Sequence, residues 1–201
     1  MTSPHIHRIG LTGGIGSGKS TLGQMMVARG IPLVDADAIA HQVTAPNGAG
    51  IETIRQQFGD AFINDKGALD RDRMRQHVFS NPQAKLALQD LLHPLIHQRM
   101  LEAIDEIANQ GNSMVLIDIP LLVESAHWRQ LLHKLIVVDC SEATQVRRVM
   151  ARSQLAEADV RQIMANQANR SKRLAAADVV VFNDQDDLAH LQDQALQMAL
   201  P

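Results

Sequence analysis

Five short apolar runs rich in β-branched residues punctuate the chain, at residues 6–12, 31–34, 114–119, 135–139 and 179–182. Between them, apolar positions recur at helical spacing. Strands alternating with helices require crossovers, so the pattern predicts an α/β fold with a mostly parallel five-stranded sheet flanked by helices. Residues 114–123 are almost continuously apolar, as expected of a central strand covered on both faces. The gap between the second and third runs is far longer than one crossover needs. It predicts helices at residues 50–58, 71–79 and 82–108, with turns at Pro46-Asn47-Gly48, Asp65-Lys66-Gly67 and Asn81-Pro82. His93-Pro94 in the last of these predicts a bend or a boundary, because proline has no N–H for the helix ladder. The expected architecture is one domain with a helical insertion.

Composition then narrows the function. With 201 residues, 45% hydrophobic and 20% charged, the chain can bury a core and is not disordered. A formal net charge of −3 and an aromatic share of 2% leave neither a polybasic tail nor a base-stacking platform. Cys140 is the single cysteine, which excludes an internal disulfide framework and a cysteine zinc cluster and suits a reducing compartment. The start of the chain lacks an apolar secretory core, and no run approaches the ~20 apolar residues of a spanning helix. The expectation is a cytoplasmic monomer with no nucleic-acid or membrane partner. Charge is nevertheless uneven: residues 147–173 carry +5 and the remainder −8.

One motif carries strong chemistry. Gly13-Gly14-Ile15-Gly16-Ser17-Gly18-Lys19-Ser20, followed by Thr21, has the G-x-x-x-x-G-K-S spacing and lies between a predicted strand and a predicted helix. Its glycines let backbone N–H groups turn inward as an anion nest, to which the helix adds its positive end. Lys19 is expected to bridge the β- and γ-phosphates of ATP, and Ser20 to ligate Mg²⁺. Neither the N-K-x-D base reader nor the D-x-x-G switch of GTPases occurs, which leaves a small-molecule kinase as the economical class.

Such an enzyme needs an acceptor base and a lid that excludes water. Asp35-Ala36-Asp37 ends the second predicted strand at the sheet edge where open α/β folds bind ligands. One of these acids can take the acceptor proton, and one can cap the next helix. Asp118 at the end of the third strand is a candidate Mg²⁺ partner. Arg148 and Arg152, four residues apart, share a helix face, as do Arg170 and Arg173, and such guanidinium pairs suit phosphoryl oxygens. Asn183 ends the last strand where a loop can approach adenine. Two other readings stay open: a nucleoside or nucleotide kinase with another acceptor, and an ATP-gated binding protein without turnover.

Taken with Leu92-His93-Pro94-Leu95-Ile96, Pro120-Leu121-Leu122-Val123-Glu124, Leu69 with Arg71, Phe79, and Gln167, Arg173, Ala177-Asp178 and Asn183, these motifs resemble the dephospho-CoA kinase family nearly end to end. The resemblance implies transfer of the ATP γ-phosphoryl to the ribose 3′-hydroxyl of dephospho-CoA, with Asp37 as general base and Arg148 and Arg152 in the lid. It also implies a nucleotide core at residues 1–43 and 112–201, a lid near 148–167, and a CoA-binding helical insertion at 44–111. Thr12, Asp35, Arg71, Arg75 and His93 are the expected acceptor-binding residues. Gly13 to Thr21, Arg173 and Asn183 are the expected ATP-binding residues. Three positions depart from the family pattern: Ser153 stands where Asp is usual, Ala156 where Ser or Thr caps the second lid helix, and Asp184-Gln185-Asp186-Asp187 where a Gly soon follows the asparagine. An uncapped helix start predicts a frayed lid turn.

Overall fold

A computed structural model describes residues 6–120, 122–123 and 126–198. Strands β1 (His7–Gly13), β2 (Leu33–Asp35), β3 (Met114–Asp118), β4 (Lys134–Asp139) and β5 (Val179–Phe182) form one sheet in the order β2-β3-β1-β4-β5. The pairings of β1 with β3 and β4, and of β4 with β5, are parallel. Thus β1 lies at the point where the strand order reverses, and the crevice beyond its carboxyl end is where such sheets bind ligands. Register sets Leu11 opposite Asp118, and Gly13 opposite Val138. No helix among the described residues is long and apolar enough to cross a membrane.

The helices are α1 (Lys19–Ala28), α2 (Ala36–Val43), α3 (Ile51–Phe58), α4 (Arg71–Ser80), α5 (Pro82–Asn109), α6 (Ala126–Arg129), α7 (Glu142–Ser153), α8 (Glu157–Ala165), α9 (Arg170–Ala176) and α10 (Leu188–Gln197). Packing divides the chain into two compact units. The first, up to Val34 and from Glu106 onward, buries Ile9, Leu11, Leu116, Ile136, Val138 and Val181 of the sheet against Leu22, Met26, Leu191 and Ala195 of α1 and α10. The second, Asp35–Asp105, closes around Ile51, Ile54, Leu69 and Met74, with Phe58, Phe62, Leu88, Leu91 and Leu92 packed against them. The sequence pattern leaves α2 in the nucleotide core, whereas its packing groups it with the insertion: Val43 accepts from the Gly50 N–H at 2.9 Å, and the Thr44 carbonyl accepts from the Leu69 N–H at 3.0 Å.

His93-Pro94 is not a boundary, because α5 runs through Pro94. The proline removes one ladder hydrogen bond, but the 28-residue helix continues on both sides of it, and Leu88, Leu91, Leu92, Met100 and Ile104 fix it by burial.

In the first unit, Ala156 is the N-cap of α8, with no side chain bonding the first-turn N–H groups. Its carbonyl accepts from Asp159 and Val160, and behind it Gln154 ends α7 in the left-handed region at φ 54°. First-turn amides of α8 should therefore exchange quickly. Ala156→Ser should slow them and stabilise the helix by about 0.5–1 kcal/mol. Residue-resolved hydrogen exchange checks this, and slow exchange in the unsubstituted protein would contradict it.

Candidate active site

In the first unit, the chain leaves β1 at Gly13 and turns sharply into α1. Gly16 at φ 76° and Gly18 at φ 96° hold the turn in left-handed backbone, and the Ser17 N–H donates to the Gly14 carbonyl at 3.0 Å. Gly14 is required for a different reason. A Cβ there would collide with the Gln145 amide and come within 2.9 Å of the Arg173 guanidinium.

Around this loop the charges are arranged tightly. Lys19, in the first turn of α1, is held by both carboxylate oxygens of the buried Asp118 at the end of β3. Ser20 beside it is exposed and Thr21 half-buried, while Thr12 is buried in β1. Arg173 is only 8% exposed; it donates to the Ala168 carbonyl, and its Nε has no hydrogen-bond partner. Ser17 Oγ and Gln145 Oε1 are likewise buried and unpartnered. Unsatisfied buried polar groups are costly and cluster where a ligand completes them. Here a buried cation, a hydroxyl and a glycine nest converge on one loop.

Asn183 supports the same loop, since its buried Nδ2 donates to the Ser17 carbonyl at 2.8 Å. Arg148 does not reach toward the loop: its guanidinium donates to the carbonyls of Asn183 and Gln185 at 2.9 and 2.5 Å. The acidic stretch that departs from the family pattern fastens this segment down. Asp184 accepts from the Ser141 N–H at 2.8 Å, a bond that holds its carboxyl below the usual carboxylate range. Asp186 takes a bidentate pair from Arg147, and Asp187 caps α10. Arg152 is exposed and donates to Ser153 Oγ at 3.4 Å. Arg170 forks onto the buried Asp139 through Nε and Nη2 at 2.6 to 3.0 Å.

In the second unit, the two paired acids have different surroundings. Asp35 Oδ1 accepts from the N–H groups of Asp37 and Ala38 at 2.8 and 3.1 Å, making it the N-cap of α2. Asp37 is exposed in the first turn of that helix. It acts electrostatically on Arg71, whose guanidinium is held below its ordinary pKa by burial and then by Arg75, while Asp37 pulls the other way. Arg71 is fixed by Thr44, whose buried Oγ1 accepts from it at 2.7 Å and donates to the Ala40 carbonyl at 2.7 Å. Arg71 and Arg75 are four residues apart on α4, so they share a face. His93 is exposed on α5, and no contact joins it to this group among the described residues. Thr44 and Gln145 carry no sequence signal, since each acts through a fold contact with a residue far along the chain. Gln167 was visible only as part of the family resemblance.

Comparison with known proteins agrees with this geometry. The family model of dephospho-CoA kinase matches residues 7–188. A dephospho-CoA kinase of Albidiferax ferrireducens is 48% identical over 184 residues, covering 92% of this chain and 87% of the relative. A Thermus thermophilus protein of known crystal structure superposes with a TM-score of 0.82 at 31% identity, over 96% of this chain and 95% of its own. Dephospho-CoA kinase from Campylobacter jejuni gives 0.72 at 25% identity over 94% of each chain. A phosphate loop followed by α1, an acid-capped acid at the start of α2, and similarity of this extent together lead to one statement: the chain belongs to the dephospho-CoA kinase family.

Proposed function

We infer that the site transfers the γ-phosphoryl group of ATP to the ribose 3′-hydroxyl of dephospho-CoA, giving coenzyme A and ADP. The observation that carries this reading is the contrast within Asp35-Ala36-Asp37: one acid caps a helix and the other is exposed and acts on Arg71. A carboxylate so placed accepts the hydroxyl proton as the oxygen attacks phosphorus. Arg71 and Arg75 suit the acceptor's diphosphate. The nest from Gly13 to Thr21 cradles the ATP phosphates, Lys19 spans the β- and γ-oxygens, and Arg173 lies against the loop as a further cation. Arg148 holds the loop after β5 and Asn183 ties that loop to the phosphate loop, while Arg152 is exposed on the lid.

Mg²⁺ enters this account with the nucleotide. Among the described residues, no group of three or more His, Cys, Asp or Glu side chains is arranged to hold a metal. An ion carried mainly by phosphates needs only one or two protein oxygens; the exposed Ser20 hydroxyl would supply one, and Asp118, whose two oxygens hold Lys19, would act on the ion through water. When bound, the ion neutralises charge on the β- and γ-phosphoryl oxygens.

Coupled measurement of ADP release with Mg-ATP tests the acceptor. Turnover with dephospho-CoA, and none with adenosine, AMP or uridine, is the expected outcome. Preference for one of the other three would reassign the helical insertion, and ATP binding without any turnover would favour a binding protein.

Cys140 lies outside this chemistry. It is buried, and desolvation, the largest influence, pushes its thiol from 9.0 to about 11. It should resist iodoacetamide at neutral pH until the protein unfolds. A raised folded-state pKa favours the folded protein below pH 9, and that advantage fades as pH climbs toward 11. With no tyrosine in the chain, Cys140→Ala should flatten the fall of Tm over this interval. An unchanged slope would contradict the assignment.

A further inference from the structure

Ile15, at the tip of the phosphate loop, has both of its backbone groups taken by side chains from distant parts of the chain. Its N–H donates to Gln167 Oε1 at 3.0 Å, and its carbonyl accepts from Gln145 Nε2 at 2.6 Å. The Ile15 side chain packs against Val146, Val149 and Val160, with Leu155 and Met164 in the same cluster. These residues belong to α7, α8 and the turn between them, the segment expected to form the lid. Gln145 is 1% exposed, and a Cβ on Gly14 or Gly16 would strike it, so the contact is close as well as hydrogen-bonded. Gln167 and Gln145 also line, with Arg170 and Arg173, a cavity of about 280 Å³ in the same unit.

We propose that Gln145 and Gln167 are positioning residues that clamp the two peptide groups flanking Ile15, so that the start of α7 and the segment after α8 hold the phosphate loop in shape. The Gly14–Ile15 peptide is held by the bond to Gln167 and the Ile15–Gly16 peptide by the bond from Gln145, so neither plane can rotate without breaking a bond to the segment after α8 or to α7. The orientation of the loop's inward N–H groups is thereby set before the nucleotide arrives, and preorganised donors bind phosphate without a reorganisation cost. The inference rests on reading Gly13 to Ser20 as the phosphate loop, and ATP affinity rather than turnover is the quantity that tests it.

Gln167→Met keeps length and packing but removes the acceptor, whereas Gln167→Glu keeps an acceptor. By residue-resolved hydrogen exchange, the Ile15 amide should exchange at least about tenfold faster in Gln167→Met and stay protected in Gln167→Glu, while the β4 amides are unchanged in both. By calorimetry, Kd for ATP should rise about tenfold in Gln167→Met, equivalent to about 1.4 kcal/mol. KM for ATP should rise with it while kcat changes less than about threefold, the pattern of lost uniform binding. Gln145→Met, which frees the carbonyl side, should weaken ATP binding in the same direction. Unchanged Ile15 exchange, or faster exchange with unchanged ATP affinity, would overturn the proposal. An unsubstituted protein that bound no ATP would instead overturn the phosphate-loop reading beneath it.

Discussion

Asp37→Asn should lower turnover with dephospho-CoA by about 10²–10⁴, the usual contribution of a positioned general base, while leaving Kd for ATP unchanged. The substitution preserves shape and removes the capacity to take a proton, together with the negative charge that acts on Arg71. It does not endanger α2, because the cap of that helix is Asp35, whose Oδ1 holds the Asp37 and Ala38 N–H groups. The matched control follows from the same geometry. Asparagine caps a helix about as well as aspartate, so Asp35→Asn should leave both the helix and most of the turnover intact. Steady-state rates for the two variants, beside calorimetric ATP binding, decide the matter. Equal losses in both, or none in Asp37→Asn, would remove the base from Asp37.

Lys19→Met should reduce kcat/KM by about 10²–10³, since it removes the cation aimed at oxygens that gain charge in the transition state. This variant carries a complication that the structure makes explicit. Lys19 is the partner of the buried Asp118, so its loss strands a carboxylate, and removing one member of such a pair destabilises the fold. Lys19→Met with Asp118→Asn separates the two effects. The double variant should recover much of the lost Tm and none of the lost activity. Recovery of activity together with stability would show that Lys19 serves the fold rather than the reaction.

The sheet was legible because burial on two faces writes itself as apolar runs. Observed β1, β3, β4 and β5 begin and end within one residue of the expected runs, and β5 matches at both ends. Strand β2 begins at Leu33 rather than at residue 31, although the Pro32 carbonyl still accepts from the Leu116 N–H at 2.8 Å. The phosphate loop was equally legible, since Gly16 and Gly18 serve local backbone geometry, although the close approach that requires Gly14 comes from residues far along the chain. What escaped the sequence are contacts between residues far apart along the chain. Thr44 beneath Arg71, and Gln145 and Gln167 on Ile15, are polar residues whose roles exist only after folding. At Pro94 the expected long helix is present and the boundary offered as one alternative is not, because burial of the helix outweighs the single lost ladder bond. The acids at 184, 186 and 187 read as a departure from the family pattern, and prove to bind Ser141, Arg147 and the start of α10.

Identification of the product tests the central claim most directly. Purified protein is incubated with Mg-ATP and dephospho-CoA, and the product is analysed by tandem mass spectrometry. The account predicts a gain of one phosphoryl group, with fragments that carry it on the adenosine ribose. A phosphoryl group on the pantetheine hydroxyl, or ADP formed without a phosphorylated acceptor, would contradict it.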